Sequence, residues 1–302
     1  MKRRGMVLMM TLVLITMLMG IVALVLTQSE RLSRVGNNAF YQSSSFGIVN
    51  DLEKQLPALL SVISGAEQLD LAIRLPLQLE SKKRDFSLKA RLSSPYGRLN
   101  INRLMSPEGQ VNDMNVALLM RIFAVYPIAD ADIFIKLLFD TIDTDTVERG
   151  TDTEIAWTST DFKNGVIADA RAFNRILERY IELTRDTTIL SIPWDRYIGY
   201  DGEKMDFNAL NPETLSLVLP KISAEKIRSL TLFRTKAYAS KEEAILAEPA
   251  LGPVFDNYFF IYKPGVSYNL VYDVRVSENG HEEHVRFQYN LLDKKVQRVE
   301  FL

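Results

Sequence analysis

MKRRGMVLMMTLVLITMLMGIVALVLT, Met1 to Thr27, opens with three cations and a single glycine, Gly5, and then runs through Met6–Thr27 without a charged residue. At about 1.5 Å per residue, that apolar block makes a helix of roughly 33 Å, enough for a hydrocarbon core of about 30 Å. It predicts a membrane-spanning segment. A secretory signal has a shorter apolar region of about 7–15 residues and a small-x-small cleavage site. Here the block instead runs into Gln28-Ser29-Glu30-Arg31. With Lys2, Arg3 and Arg4 ahead of the span, the positive-inside bias places the N-terminus in the cytoplasm and the bulk of the chain on the other side.

The 302-residue chain is long enough for one large domain or two modest ones. Lys and Arg total 36 against 38 Asp and Glu, and taking away the three leader cations leaves 33 against 38. A chain of that balance carries no general basic field, so nucleic acid is excluded as an expected partner. There is no cysteine, hence no disulfide, thiolate nucleophile or sulfur-ligated metal. The two histidines, His281 and His284, flank two glutamates in a hairpin-like stretch, where a three-residue step along a strand puts them on opposite faces. No Ser-His-Asp set, phosphate loop, zinc triad or glycine-rich cofactor turn is present, and no enzyme is expected.

Beyond the span, Leu32, Val35, Ala39, Phe46, Val49, Leu52, Leu56, Leu59 and Ile63 recur with helical spacing, so the first helix is expected to continue as an amphipathic rod bent near Gly36, Gly47 or Pro57. From Phe86 the period becomes two, and Phe86–Leu92, a Ser94–Gly97 turn and Leu99–Ile101 read as a strand pair. Residues 111 to 263 read as helical, over Val116–Tyr126, Asp130–Phe139, Ala168–Leu183, Pro212–Leu219, Ala224–Phe233 and Lys241–Ala247. Strand patterns return at Tyr268–Val276, His284–Leu291 and Lys295–Leu302, with an Asn279-Gly280 turn, as an antiparallel meander. The expectation is an α+β fold, an N-terminal helix with a small antiparallel sheet interrupted by a large, mainly α-helical insertion.

Gly5 followed by Met6 and a charge-free helix resembles the class III leader of type IV pilins and type II secretion pseudopilins, in which a prepilin peptidase cuts after this glycine. Most members carry a glutamate at the fifth mature position, where this chain has Met10. The subfamily that lacks it is the large minor pseudopilin called general secretion pathway protein K, in which a helical domain interrupts the pilin sheet. Leu99-Asn100-Ile101-Asn102-Arg103-Leu104 and Phe207-Asn208-Ala209-Leu210-Asn211-Pro212 are similar to that family's asparagine-rich segments.

The resemblance implies a leader at 1–5 cleaved between Gly5 and Met6, a transmembrane segment at 6–27, a pilin-like first part at 28–110, an inserted domain at 111–263 and pilin-like strands at 264–302. It implies a single-pass bacterial inner-membrane protein, N-terminus cytoplasmic and bulk periplasmic. Its partners would be I-type and J-type minor pseudopilins, the prepilin peptidase, and secreted cargo or the outer-membrane secretin. Leu32, Val35, Ala39 and Phe46 would form the helix face that packs against sister subunits. A buried carboxylate in a bilayer costs at least about 2.5 kcal/mol unless paired. A subunit with Met10 avoids that cost but cannot neutralise the terminal amine of a subunit above it, which suits the tip of a filament. A minor pilin of a type IV pilus or DNA-uptake system shares the leader, and a membrane-anchored periplasmic enzyme or binding protein is the alternative from another class.

Asp140 to Glu154 holds six acids against one base, Arg149. Such a cluster suits calcium, which takes six to eight oxygens, although glycine and glutamate do not fall at EF-hand positions; a solvated acidic loop has the same composition. Proteins of the resembling family bind calcium in Asp-x-Asp loops, and Asp143, Asp145, Glu148 and Glu154 are the ligands this implies. Leu219–Ile227 resembles a helix-hairpin-helix DNA motif, but Lys221 and Ser223 stand where it needs glycine, so it reads as a structural hairpin.

Overall fold

The computed structural model describes residues 54, 56–58, 60–61, 63–81, 86–106, 109–159, 161–278 and 281–301. Gly5, Met6, the expected span 6–27, the helix face Leu32, Val35, Ala39 and Phe46, and the Asn279-Gly280 turn lie outside the described residues. Among the described residues, no helix is long and apolar enough to cross a membrane. The chain divides into two compact units, Met1–Ser94 with Tyr262–Leu302, and Pro95–Ile261.

The first unit is a five-stranded antiparallel sheet of β1 (Leu77–Ser81), β2 (Phe86–Ser93), β7 (Asn269–Glu278), β8 (His281–Asn290) and β9 (Lys295–Phe301), in the order β1-β2-β7-β8-β9. The three C-terminal strands form the expected meander. Alternation explains its register. Ala90 stands opposite Val274 and Val274 opposite Val285, while Leu92 stands opposite Tyr272 and Tyr272 opposite Phe287. Leu88, Ala90, Leu92, Val274, Val285 and Phe287 are all buried on this one face. The helix α1 (Ala66–Arg74) packs on β2, and Leu56, Leu60, Ile63 and Leu69 add to the same core. The opposite face is polar, with Asp273 accepting from Arg286 at 2.9 Å and bonded to His284 at 3.2 Å.

The second unit is mainly helical: α2 (Asp113–Val125), α3 (Ala131–Ile142), α4 (Ile155–Thr158), α5 (Ala170–Thr184), α6 (Trp194–Tyr197), α7 (Pro212–Val218), α8 (Ala224–Thr231), α9 (Lys241–Ala247) and α10 (Phe255–Tyr258). The six long helical expectations are all present because each start carries a side-chain cap. Asn112, Asp130, Asp169, Asn211, Ser223 and Ser240 accept from backbone N–H groups of the first turn. Helices α7 and α8 form the structural hairpin read from the sequence, with Ser223 as the cap of α8. Phe123, Phe134, Phe173 and Trp194 pack mainly edge to face in the core, with Phe173 and Trp194 centroids 5.2 Å apart.

One strand expectation is corrected. Leu99–Asn100 (β3) does not return along β2; it pairs in parallel with Ile198–Gly199 (β4) in the helical unit. Strand β2 already has β1 and β7 on its two sides. Pro95–Gly97 is a 3-10 turn that carries the chain against Ala209, where a Cβ on Gly97 would come within 2.2 Å of the Ala209 carbonyl oxygen. The helical unit accordingly begins at Pro95, earlier than periodicity alone indicates. Short parallel pairing also joins β5 (Met205–Asp206) to β6 (Phe259–Phe260).

Asp186 ties α5 to the start of α3. Its carboxylate accepts from the Thr188 hydroxyl at 2.6 Å, the Ala129 N–H at 2.7 Å, the Thr188 N–H at 2.9 Å and the Tyr180 hydroxyl at 3.0 Å. Led by the Thr188 hydroxyl, these donors hold its pKa at about 2, below the ordinary 3.8. With the folded value below the unfolded one, the stabilisation is present above about pH 4 and lost as pH falls toward 2. Denaturant titrations from pH 6 to 2 are expected to show that loss, and Asp186→Asn to lower stability at pH 6 and flatten the acid limb.

Candidate functional site

The acidic segment is the described region in which a ligand-binding expectation can be compared with geometry. It leaves α3 at Ile142, crosses to α4 and continues toward α5, and its organising residue is one that the composition does not single out. Asp140 sits on the buried side of α3 with Leu137 and Leu138 and is fully buried. Its carboxylate accepts from the Arg149 N–H at 3.1 and 3.2 Å, from Arg149 Nη1 at 3.0 Å and from the Thr153 hydroxyl at 2.5 Å. Thr153 Oγ1 in turn accepts from the Gly150 N–H at 3.0 Å. Arg149, the one base of the segment, also pairs with Asp143 and reaches Met105 Sδ at 3.8 Å. One half-buried cation is thus the countercharge shared by the two carboxylates at its centre.

The four expected ligands fall into separate roles. Asp143 is buried beside Arg149. Asp145 accepts from the Val147 N–H at 2.8 Å, an Asx turn on the exposed side. Glu148 is half-buried and makes no ion pair among the described residues. Glu154 is buried; one oxygen caps α4 through the Ala156 N–H at 3.1 Å and the other accepts from Asn164 Nδ2 at 3.0 Å. Asn164 Nδ2 also donates to the Asp145 carbonyl at 2.7 Å, so this amide joins the two limbs of the loop. Among the described residues, no three acidic or histidine side chains gather into a metal-holding group. Three oxygens nevertheless lack a protein partner: Asp143 Oδ1, Thr141 Oγ1 and Asn164 Oδ1.

Burial pushes the Asp143 carboxyl up, against the pull of Arg149, and burial likewise pushes Glu154 up. A raised folded value means that the protonated form suits the fold, so this contribution is full below the ordinary carboxylate range and is lost as pH rises through the folded value. Asp140, Arg149, Thr153 and Asn164 are not among the ligands expected from the sequence. The available signals were the helical phase of Asp140 with Leu137 and Thr141, and Arg149 as the lone base among acids.

Removing Arg149 leaves Asp140 buried without its countercharge. Arg149→Leu is expected to cost about 3 kcal/mol, the low end for a broken buried pair because the arginine is 31% exposed. Adding Asp143→Asn is expected to recover part of that loss in urea melts; strictly additive losses would show that the two side chains do not interact.

No protein-family model and no curated protein matches the sequence. Among solved structures, the chain is similar to a chain in the crystal structure of the GspK-GspI-GspJ complex from the enterotoxigenic Escherichia coli type 2 secretion system. The two share 13% identity with a TM-score of 0.57, over 88% of this chain and 99% of that one. The fold of this protein is therefore that of a chain of that complex, a small antiparallel sheet interrupted by a helical unit, as expected from the sequence.

Proposed function

We propose that this protein is a non-enzymatic minor pseudopilin of a type II secretion system that caps the pseudopilus tip and helps initiate its assembly. The observation that carries the reading is the interruption of one antiparallel sheet, between β2 and β7, by a helical unit of the kind shared with the chain from the GspK-GspI-GspJ complex over nearly its full length. The leader features agree with it: Gly5 precedes Met6, three cations precede the apolar block, and Met10 occupies the position of the usual glutamate. The mature chain would sit in the inner membrane by residues 6–27 with its bulk in the periplasm, its Leu32, Val35, Ala39 and Phe46 face packed on I-type and J-type subunits. Cargo and the outer-membrane secretin would meet the helical unit.

The experiment is co-expression with a prepilin peptidase and I-type and J-type pseudopilins. A mature N-terminus at Met6 and a ternary complex lost on Val35→Glu or Ala39→Glu are expected. An intact N-terminus, or co-purification untouched by these charges, would overturn the reading.

A calcium ion in the acidic loop is part of the same proposal. Asp143, Asp145, Glu148 and Glu154 would supply hard oxygens, and the buried, unpartnered Asp143 Oδ1 supports the assignment. Because Arg149 holds Asp143, the loop must loosen that ion pair to admit the metal. Calcium in excess over its dissociation constant is expected to raise the melting temperature above that in chelator, as for any ligand bound to the folded state alone. Identical melting in chelator and in excess calcium would dismiss the site.

A further inference from the structure

The polar face of the sheet carries two neighbouring rows of side chains whose charges are arranged differently. Residues that alternate with the buried Leu88, Ala90, Val274 and Val285 lie on this face, among them Lys89, Arg91, Asp273, Arg275, His284 and Arg286. In one row Arg91 stands opposite Asp273, Asp273 opposite Arg286 and Arg286 opposite Glu300, so base and acid alternate from β2 to β9. In the next row Lys89 stands opposite Arg275 and Arg275 opposite His284, bases side by side. Directly opposed side chains have Cβ atoms about 4.5–5.5 Å apart, and like charges so placed destabilise a sheet.

The second row contains no acid. Lys89 and Arg275 are exposed and make no ion pair among the described residues. His284 is half-buried and turns Nε2 to Asp273 at 3.2 Å, and Gln78, which stands opposite Lys89 on β1, is uncharged. The acids nearby are engaged elsewhere or stand outside the row. Asp273 is held by Arg286 at 2.9 Å, Glu300 by Arg298 at 2.7 Å, and Glu80 accepts from Gln78 at 2.7 Å. Glu282 is exposed in the row beyond, opposite Ser277. Arg91, also exposed, adds a further cation beside Lys89 on β2.

We propose that the row of Lys89, Arg275 and His284 docks an acidic segment of a partner polypeptide, whose carboxylates supply the countercharge that the alternating row finds within the sheet. The row crosses three strands, about 10 Å, which carboxylates at alternate positions of an extended segment cover. The acids that border it select a polypeptide over other anions. A nucleic acid or an anionic bilayer would lay its charge over Asp273 and Glu282 as well as over the bases, on a chain whose own net charge is −2. A polypeptide can set carboxylates against the row and neutral or basic side chains against its borders, which gives register and specificity. The proposal stands apart from the pseudopilin reading, since it uses only the polar face of the sheet.

The test uses the full chain in nonionic detergent, with micelles alone as blank, and dye-labelled Glu/Ser and Lys/Ser peptides read by anisotropy. Expected are binding of the Glu/Ser peptide alone, weakening with salt, and about a tenfold loss of affinity in Lys89→Gln with Arg275→Gln. Lys163→Gln with Lys221→Gln removes the same charge from exposed positions of the helical unit and is expected to leave the affinity unchanged. The first pair of substitutions is also expected to melt at or above the temperature of the parent chain, because it separates like charges. A lower melting temperature would assign the row to the sheet itself and overturn the proposal. So would equal affinity for the two peptides, equal losses in the two variant pairs, or tighter binding of anionic vesicles or a DNA duplex through Lys89 and Arg275.

Discussion

The pairing of β2 with β7 is the constraint on which the remaining architecture rests. Phe86 to Ser93 align with Glu278 to Val271, so two strands far apart in sequence become neighbours across an entire helical unit. Closing a flexible loop of this length would cost about 4–5 kcal/mol in chain entropy. The register is held by the apolar face: Leu88, Ala90 and Leu92 meet Val276, Val274 and Tyr272, and a slip of one residue would turn this set outward and the lysine and arginines of the other face inward. The inserted chain reduces the entropic penalty by folding on its own core, which turns a floppy loop into a compact body.

Within that body, polar chemistry decides what hydrophobic burial leaves open. The aromatic core around Phe134 and Trp194 holds α2, α3, α5 and α6 together, but the long connection from α3 to α5 has too little regular structure to be held that way. Its shape comes from side chains acting as backbone partners. Asp140 collects a backbone amide, a guanidinium and a hydroxyl, Glu154 caps a one-turn helix, and Asn164 bridges the two limbs. A network of this kind is rigid when complete and costly when broken, because each member would otherwise be a desolvated polar group. Its incomplete members are Asp143 Oδ1, Thr141 Oγ1 and Asn164 Oδ1, which have no protein partner.

The division of the acids follows from the same physics. Of those facing the core, Asp140 and Asp143 share one arginine and Glu154 is held by backbone and amide N–H donors; Asp145 and Asp152 face water. Composition alone counts six acids and one base between Asp140 and Glu154 and does not distinguish the two groups. The residues expected to act together as ligands are distributed between both, which explains why Asp143 and Glu154 are buried while Asp145 forms an exposed turn.

Local signals in the sequence determined the helices, because a cap residue and a 3.6-residue period are properties of a dozen consecutive residues. The starts at Asp130, Asn211, Ser223 and Ser240 are all legible in that way, as is the C-terminal meander from its two-residue alternation. What only the tertiary structure decided is pairing between distant segments. Leu99–Asn100 reads as a partner for the preceding strand but lies beside Ile198–Gly199, since strand propensity says nothing about which edge is free. Asp140 reads as one acid among six until its burial next to Arg149 makes it the centre of the loop. Periodicity reports which side chains avoid water, whereas the partner that each finds depends on which other chain segments fold against it.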